Sequence, residues 1–466
     1  MLPFAELGAE EPGVFTEGIH DDLLTKLSNI SGLRVISRTA VQQYRGTDQT
    51  TAEIAEELGV RWVLEGGVQE MGEEIQVNAQ LIDPRSDTHA WAESYRRDLS
   101  AENLFDLQSE ITQQIAQALE TEVNDGEQTR IERVPTEDLE AYRLYVRGRT
   151  LMENRDEQGM RRALDYFRRA IEQDSGYALA WSGLSDVRTL MVPYNYGARD
   201  TFLPRALEAA ERAVALDSEL AEAHASLGLV HDVGGEDVEA IGHYRRALAL
   251  RPSYAQASYW LGLQLQSQGR LEMARPHLLR AVELGPTVPV YRVGLTDWYS
   301  KADSLERALE EAWTLQELGG HPAASTKPGQ VLSLMERHQE ALASLRGAVQ
   351  RTNSGSLAHT WARLNLAAAH ARSGDGGAAR ELVAEVYSDV GASNLSLGSR
   401  RNLAEIYAIL EEPDSAFAYL GVPAPDVLLY DRDFTSLHSD PRWSELLREA
   451  ERRWGLEPGT LGGGRP

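Results

Sequence analysis

Residues 221–254 read AEAHASLGLVHDVGGEDVEAIGHYRRALALRPSY, and residues 255–288 read AQASYWLGLQLQSQGRLEMARPHLLRAVELGPTV. Laid one above the other, the two stretches agree wherever side-chain size matters. Gly228 stands over Gly262, Leu227 over Leu261, Ala240 over Ala274, Ala247 over Ala281 and Pro252 over Pro286. Each stretch holds two runs of helical period, parted by Gly234-Gly235 or by Gly269 and closed near the proline. A glycine in the first run and two alanines in the second let a pair of helices cross closely. Leu227, Tyr244, Leu261 and Leu278 fill the gaps between them. One such pair cannot bury its apolar face alone, so the units must stack on one another.

The period carries outward in both directions. Ala206 and Ala308 continue the Ala240–Ala274 series, Ala213 precedes Ala247, and Leu295 follows Leu261. Looser copies begin at Gly148 with Ala163, Phe167 and Ala170, and at Trp181, Leu184 and Ser185, the latter with an enlarged loop over 192–200. Later copies centre on Ala308, Ala341, Ala379 and Ala416, giving about eight units. The pattern resembles the tetratricopeptide repeat. The resemblance implies an all-α superhelical solenoid over 138–455, a C-terminal cap, and a flexible tail at 456–466. It also implies a binding scaffold whose first helices line a concave face. The positions it would expose there are Ser182, Asp186, Ala225, Leu229, Tyr259, Leu263, Val293 and Asp297, with Tyr194 and Tyr196 added from the enlarged loop. That face is mixed apolar and acidic, which suits an amphipathic or Arg-bearing segment. It lacks the Lys and Asn of a carboxylate clamp, so a free C-terminal carboxylate is not the expected ligand. On this register Gly262→Leu should cost about 2–4 kcal/mol. Glu222→Ala, taken as outward-facing, should cost less than about 0.5 kcal/mol. Replacing Tyr259 and Leu263 together should abolish partner capture with the fold intact.

The first 125 residues have another texture. RWVLEGGVQ (61–69) and IQVNAQLI (75–82) alternate in polarity across the hairpin signal EMGEE, and Trp91–Tyr95 suits a third strand. Leu33–Ile36 reads as a short strand, and helices fit 16–27, 51–58 and 104–119. This predicts a small α+β domain over 1–125 and a linker at 126–137. The segments MLPF (1–4), DDLLTKLSNISGLRVISRT (21–39), AEELGVRWVLEGGVQ (55–69), VNAQLIDPRSDTHAWAESYRRDL (77–99) and LFDLQSEITQQIAQAL (104–119) resemble the TolB-like amino-terminal domain found before tetratricopeptide repeats in bacterial signalling proteins. LLYDRDFTSLHSDPRWSELLREAERRWG (428–455) is similar to the closing segment of the same proteins. In that family the two modules follow an adenylate cyclase, a serine/threonine kinase or a winged-helix regulator, often behind a membrane span. The fold class expected is therefore a small α+β domain followed by an all-α tetratricopeptide-repeat solenoid, folding from about residue 138 without the first domain.

Of the 466 residues 42% are hydrophobic, ample for such a core, and the formal net charge is −26. About −16 of it lies before Pro135. Lysine occurs only at Lys26, Lys301 and Lys327. So acidic a chain is not expected to bind nucleic acid or an anionic membrane. With no cysteine, disulfides and thiolate catalysis are excluded. No Walker loop, kinase catalytic motif or nucleophile elbow is present. Gly66-Gly67 reads as a bulge or close backbone contact within a strand, and Gly374–Gly377 as a turn. His224, His231 and His243 read as packing residues, and the pairs Asp21-Asp22, Glu56-Glu57 and Glu73-Glu74 as solvated surface. No catalytic residue, cofactor or metal ligand is expected. The partner expected is a protein or peptide, or a second copy of the chain assembling into an oligomer or filament. The expected location is cytoplasmic, or periplasmic or extracellular if a span or signal lies upstream. Met1–Phe4 reads as the end of a strand with nothing in front, as in a chain cut from a longer one.

Overall fold

The computed structural model describes residues 1–7, 13–153, 156–194, 196–391 and 395–462. The chain divides into two compact units, Met1–Leu261 with Glu283–Thr287, and Gly262–Val282 with Val288–Pro466.

A four-stranded sheet opens the first unit: β1 (Ala5–Glu6), β2 (Val63–Met71), β3 (Glu74–Asp83) and β4 (Thr88–Asp98), in that spatial order. β1 runs parallel to β2, and the rest is an antiparallel meander. The expected hairpin is there, turning at Gly72 with φ +69°, and the third strand is longer than the sequence suggests. Alternation on β3 puts Ile75, Val77, Ala79 and Leu81 inward. They pack beneath the helices Val14–Ser28 and Ala101–Ala118. Gly66 is the close approach its setting implies. A Cβ there would lie 2.5 Å from the Asn78 carbonyl oxygen and 2.6 Å from the Phe4 ring.

Leu33–Ile36 is not a strand of this sheet. Its polar backbone finds partners on the repeats instead. The Leu33 carbonyl accepts from Ser253 Oγ at 3.0 Å, and the Ser37 amide donates to the Leu284 carbonyl at 2.6 Å. The span expected as a linker holds the helix Asp125–Ile131, closed by an Asn124–Glu127 capping box and anchored by the fully buried Ile131. One hydrophobic cluster runs from Phe4 through Phe105 and Tyr142 to Ala209. Tyr142, on the first repeat helix, stacks on Phe15 (6.5 Å between ring centroids) and meets Phe105 edge-on (5.2 Å). The core therefore passes through the position where an independent solenoid was expected to begin.

Eight helix pairs follow in chain order: Leu139–Glu153 with Glu157–Gln173, Ala178–Met191 with Arg199–Leu216, Ala221–Gly234 with Asp237–Leu250, Ala255–Ser267 with Leu271–Leu284, Pro289–Lys301 with Leu305–Leu318, Lys327–Leu334 with His338–Arg351, Leu357–Arg372 with Gly376–Val390, and Leu397–Ile409 with Pro413–Leu420. Every second helix carries its register alanine, at 163, 206, 240, 274, 308, 341, 379 and 416, and all eight are fully buried. The crossing glycines are equally tight. A Cβ on Gly228 would meet Tyr244 Cδ1 at 2.5 Å, one on Gly262 would meet Leu278 Cδ2 at 2.7 Å, and one on Gly329 would meet Leu345 Cγ at 2.4 Å. In the second unit the helix Pro441–Arg453 closes the last pair with Phe434, Leu437 and Trp443. Of the stretch expected as a flexible tail, residues 463–466 lie outside the described residues, and the part before them packs here too. Leu461 is buried in this cluster, and its amide donates to Glu451 at 2.9 Å.

Two outcomes follow from this packing. Gly228→Leu and Gly262→Leu should each lower stability by about 2–4 kcal/mol, whereas Val238→Ala, at a side chain 72% exposed, should change it by less than about 0.5 kcal/mol. Urea titration monitored by far-UV circular dichroism reads both. A chain beginning at residue 136 bares Tyr142 and Ala141 to water, so it should melt well below the whole chain in a calorimetric scan. An unchanged melting temperature would mean that the shared core contributes nothing.

Candidate functional site

In the first unit, residues of the helix Val14–Ser28 meet the opening repeats through a polar seam. Asp21 accepts from Arg38 and Arg149 at 2.9 Å each. Burial opposes its charge, but the two guanidinium groups hold its carboxyl below the usual range. Asp22 accepts from Tyr142 Oη at 2.5 Å and Gln108 Nε2 at 3.0 Å. Burial nevertheless raises it to about 6. Lys26, buried beside them, is lowered by burial to about 8 and donates to Ser109 Oγ and the Ile131 carbonyl. His20 packs edge-on against Phe4, and burial lowers it to about 3. Asp21 and Asp22 are thus not the solvated pair expected. The missed signal is a helix whose acids fall on its packed face, with Asp22 one turn before Lys26.

Glu222 is likewise inward. It pairs with Arg251, whose side chain is 8% exposed and also reaches Asn29 Oδ1 at 3.4 Å. Its removal strands a buried guanidinium, so Glu222→Ala should cost about 3 kcal/mol rather than next to nothing. A urea midpoint within error of wild type would refute the pairing.

Most of the positions expected to be exposed on the inner face are not. Ser182, Ala225, Leu229 and Tyr259 are all buried, because neighbouring first helices pack on each other there. Ser226 Oγ lies 3.5 Å from the Ser182 carbonyl, and Ala225 and Ala257 share one small cluster. Asp186, Leu263 and Val293 are partly buried. Replacing Tyr259 with Leu263 would therefore disturb packing before any ligand. In the enlarged loop, Tyr194 is 45% exposed and stacks on Tyr196 at 5.7 Å, while Arg161 donates to the Tyr196 carbonyl. The imidazoles of His224 and His231 both lie against His243, with centroids 5.7 and 5.5 Å away, and His231 meets Glu236 at 2.5 Å. Among the described residues no set of three or more such side chains is arranged to hold a metal. Nor is any helix among them long and apolar enough to cross a membrane.

The second unit holds the arrangement that the sequence did not disclose. Its first helices present Lys301, Gln330, Asn365, Arg372 and Arg401 around a cavity of about 260 Å³. Lys327 joins them and pairs with Asp297, whose partly exposed carboxyl is held low by Lys327 and Lys301 against the effect of burial. The chain's own segment Asp426–Asp433 lies against this face. Lys301 Nζ reaches Asp426 at 2.5 Å. Arg372 grips Asp433 by donating from Nε (3.0 Å) to Oδ1 and from Nη2 to Oδ2. Arg401 meets Asp431 at 3.2 Å and Glu405 at 3.0 Å. Tyr430 donates to the Gly269 carbonyl at 3.0 Å. The regular register has no basic residue at its inner positions. Lys301, Lys327 and Arg372 stand at helix ends and Arg401 within the first helix of the last pair, on later, irregular repeats where the period no longer marks the inner face.

This geometry fixes a pH response. Burial, and then Asp431, push Glu405 up to about 8, and Asp431 is raised by burial and Asp433. A carboxyl that holds its proton more tightly when folded contributes stability below its unfolded value, near 4.3, and loses it as pH rises toward 8. Melting temperature should therefore fall between pH 5 and 8 more steeply in wild type than in Glu405→Gln. Parallel profiles in a thermal scan would refute this.

The chain thus joins a small sheet-and-helix region to tetratricopeptide repeats. A sequence profile for the tetratricopeptide repeat matches residues 234–269, and one described as the HilA/YgeH-like transcriptional regulator, second domain, matches residues 1–114. A protein of Rhizobium meliloti (strain 1021) named "Putative adenylate cyclase 3" is 37% identical over 231 residues, 49% of this chain. The match spans 39% of that relative's length. Anaphase-promoting complex subunit 3 of Schizosaccharomyces pombe is 28% identical over 144 residues, which are 30% of this chain and 21% of that one. Among solved structures, YrrB, described as a TPR protein with an unusual peptide-binding site, is 27% identical over 41% of this chain and 95% of its own, with a TM-score of 0.32. PilF of Pseudomonas aeruginosa is 18% identical over 47% of this chain and 95% of its own, with a TM-score of 0.38.

Proposed function

We propose that this chain is a noncatalytic protein-interaction module, the sensory or scaffolding part of a bacterial signalling protein. One observation carries the reading. The first helices of the second unit hold an irregular segment by matched charges and side-chain hydrogen bonds, which is how a repeat array holds a peptide. The amino-terminal resemblance to TolB-like domains supports the signalling context, as does the partial match to a relative named for a cyclase.

The test uses the intact chain as bait in lysate of the native organism, beside a Lys327→Ala/Arg401→Ala variant shown to melt as wild type does. A reproducible set of partners, depleted in the variant, is the expected result. Partners retained equally by both would move the interaction surface off the inner face, with the Tyr194–Tyr196 loop the next place to substitute. A mass in light scattering that grows with concentration, with no foreign partner captured, would overturn the scaffold reading in favour of self-assembly.

A further inference from the structure

We propose that the inner face of the second unit is a recognition groove for acidic segments of a partner protein, and that Asp426–Asp433 is its resident occupant, displaced when such a segment arrives. The inference rests on the reading that the inner face binds peptides, and it names the chemistry of what is bound.

Charge placement is the first argument. The chain has only three lysines in 466 residues and a net charge of −26. Two of those lysines, with Arg372 and Arg401, are gathered around one cavity. The occupant answers them in register. DVLLYDRD sets one carboxylate before an apolar run and two after it, two residues apart. Lys301 takes the first, Arg401 the second and Arg372 the third. These three cations stand on three different first helices, so the reading spans the array and is not a local cap. Bidentate pairing of Arg372 with Asp433 fixes orientation as well as charge.

The form of the occupant is the second argument. It consists of one short turn of helix, Pro425–Tyr430, and a 3-10 turn, Arg432–Leu437, between two longer helices that remain anchored in the closing cluster. Val427 and Leu428 tie the segment to the closing cluster, whereas Leu429 and Tyr430 are only partly buried and Arg432 is half exposed, so displacement means freeing two apolar side chains as well as three carboxylates. Asp431 and Glu405 both meet Arg401, at 3.2 and 3.0 Å, so the resident segment shares that guanidinium with a carboxyl of the repeat itself. A tethered occupant competes at an effective concentration of about millimolar. A partner segment therefore gains entry only when it matches the carboxylate pattern better.

The test uses a labelled synthetic peptide of residues 424–435 (APDVLLYDRDFT) and a control in which its three aspartates are asparagine. With wild-type protein, excess acidic peptide should raise the rate of tryptic cleavage after Arg432 by about tenfold, and the control should leave it unchanged. With an Asp431→Asn/Asp433→Asn chain, the acidic peptide should bind about tenfold tighter than to wild type by fluorescence anisotropy. Adding Arg372→Ala to that chain should abolish binding. Should the double variant fail to fold, the cleavage rate in wild type decides alone. If the neutral peptide acts as well as the acidic one, acid recognition is overturned while peptide binding by this face survives. If neither peptide binds nor alters cleavage, the segment is a fixed cap and the proposal fails, whatever the intact chain captures from lysate.

Discussion

Each second helix in the array crosses its partner at a fully buried alanine, and the distance set by that methyl group governs the rest of the structure. Where the alanine is present the first helix comes close enough that a neighbouring repeat can dock on both. Where the partner position is glycine, as at Gly228, Gly262 and Gly329, an aromatic ring or a leucine side chain lies over the backbone itself. Stacking is then enforced on every repeat, because each pair leaves an apolar face that only the next can cover. The constraint must be relieved wherever a pair has no further repeat to cover it. In the first unit, Tyr142 of the first pair finds Phe15 and Phe105. In the second unit, the last pair is closed by Phe434, Leu437 and Trp443.

That dependence explains which parts were legible in the sequence. Repeats declare themselves through position-specific size, so all eight register alanines are legible in the sequence. The hairpin over 61–82 was legible for the same kind of reason, since alternation and a Gly-bearing turn are local signals. What failed had its cause far away in the chain. Leu33–Ile36 has the composition of a strand, yet its backbone partners, Ser253 and Leu284, lie more than two hundred residues on. Glu222 has the look of an outward charge, and only Arg251 with Asn29 makes it an inward one. Asp21 and Asp22 looked solvated for want of any local sign that Arg38, Arg149 and Tyr142 would enclose them.

The candidate site failed to show itself for a different reason. The expected inner-face positions, Ser182 to Asp297, extend the regular period of 221–288 in both directions. That register is sound where repeats are regular, but there the first helices pack so closely that Ser182, Ala225, Leu229 and Tyr259 have no open surface. Looser repeats further along open a cavity, and their inner positions fall out of phase. Lys301, Lys327, Arg372 and Arg401 come from four helices with no common spacing, so no pattern joins them until the chain is folded.

Their enclosure also bears on how such a site works in a strongly acidic protein. An exposed pair such as Arg161–Glu157 gains little, because water and salt screen it and both side chains must be ordered. Lys301–Asp426 and Arg372–Asp433 are largely withdrawn from water, with side chains 6–17% exposed. Screening reaches them less, but each ion has lost its hydration, so the net gain from pairing is small. What remains large is the penalty for a mismatch. A neutral or basic segment would leave buried guanidinium and ammonium groups without partners, while the repulsion of the acidic surface applies to every acidic candidate alike. Discrimination then comes from the cost of being wrong more than from the strength of being right. Cations gathered on one enclosed face of a chain in which acids outnumber bases 72 to 46 are suited to that task, whereas the same cations spread over the surface would select nothing.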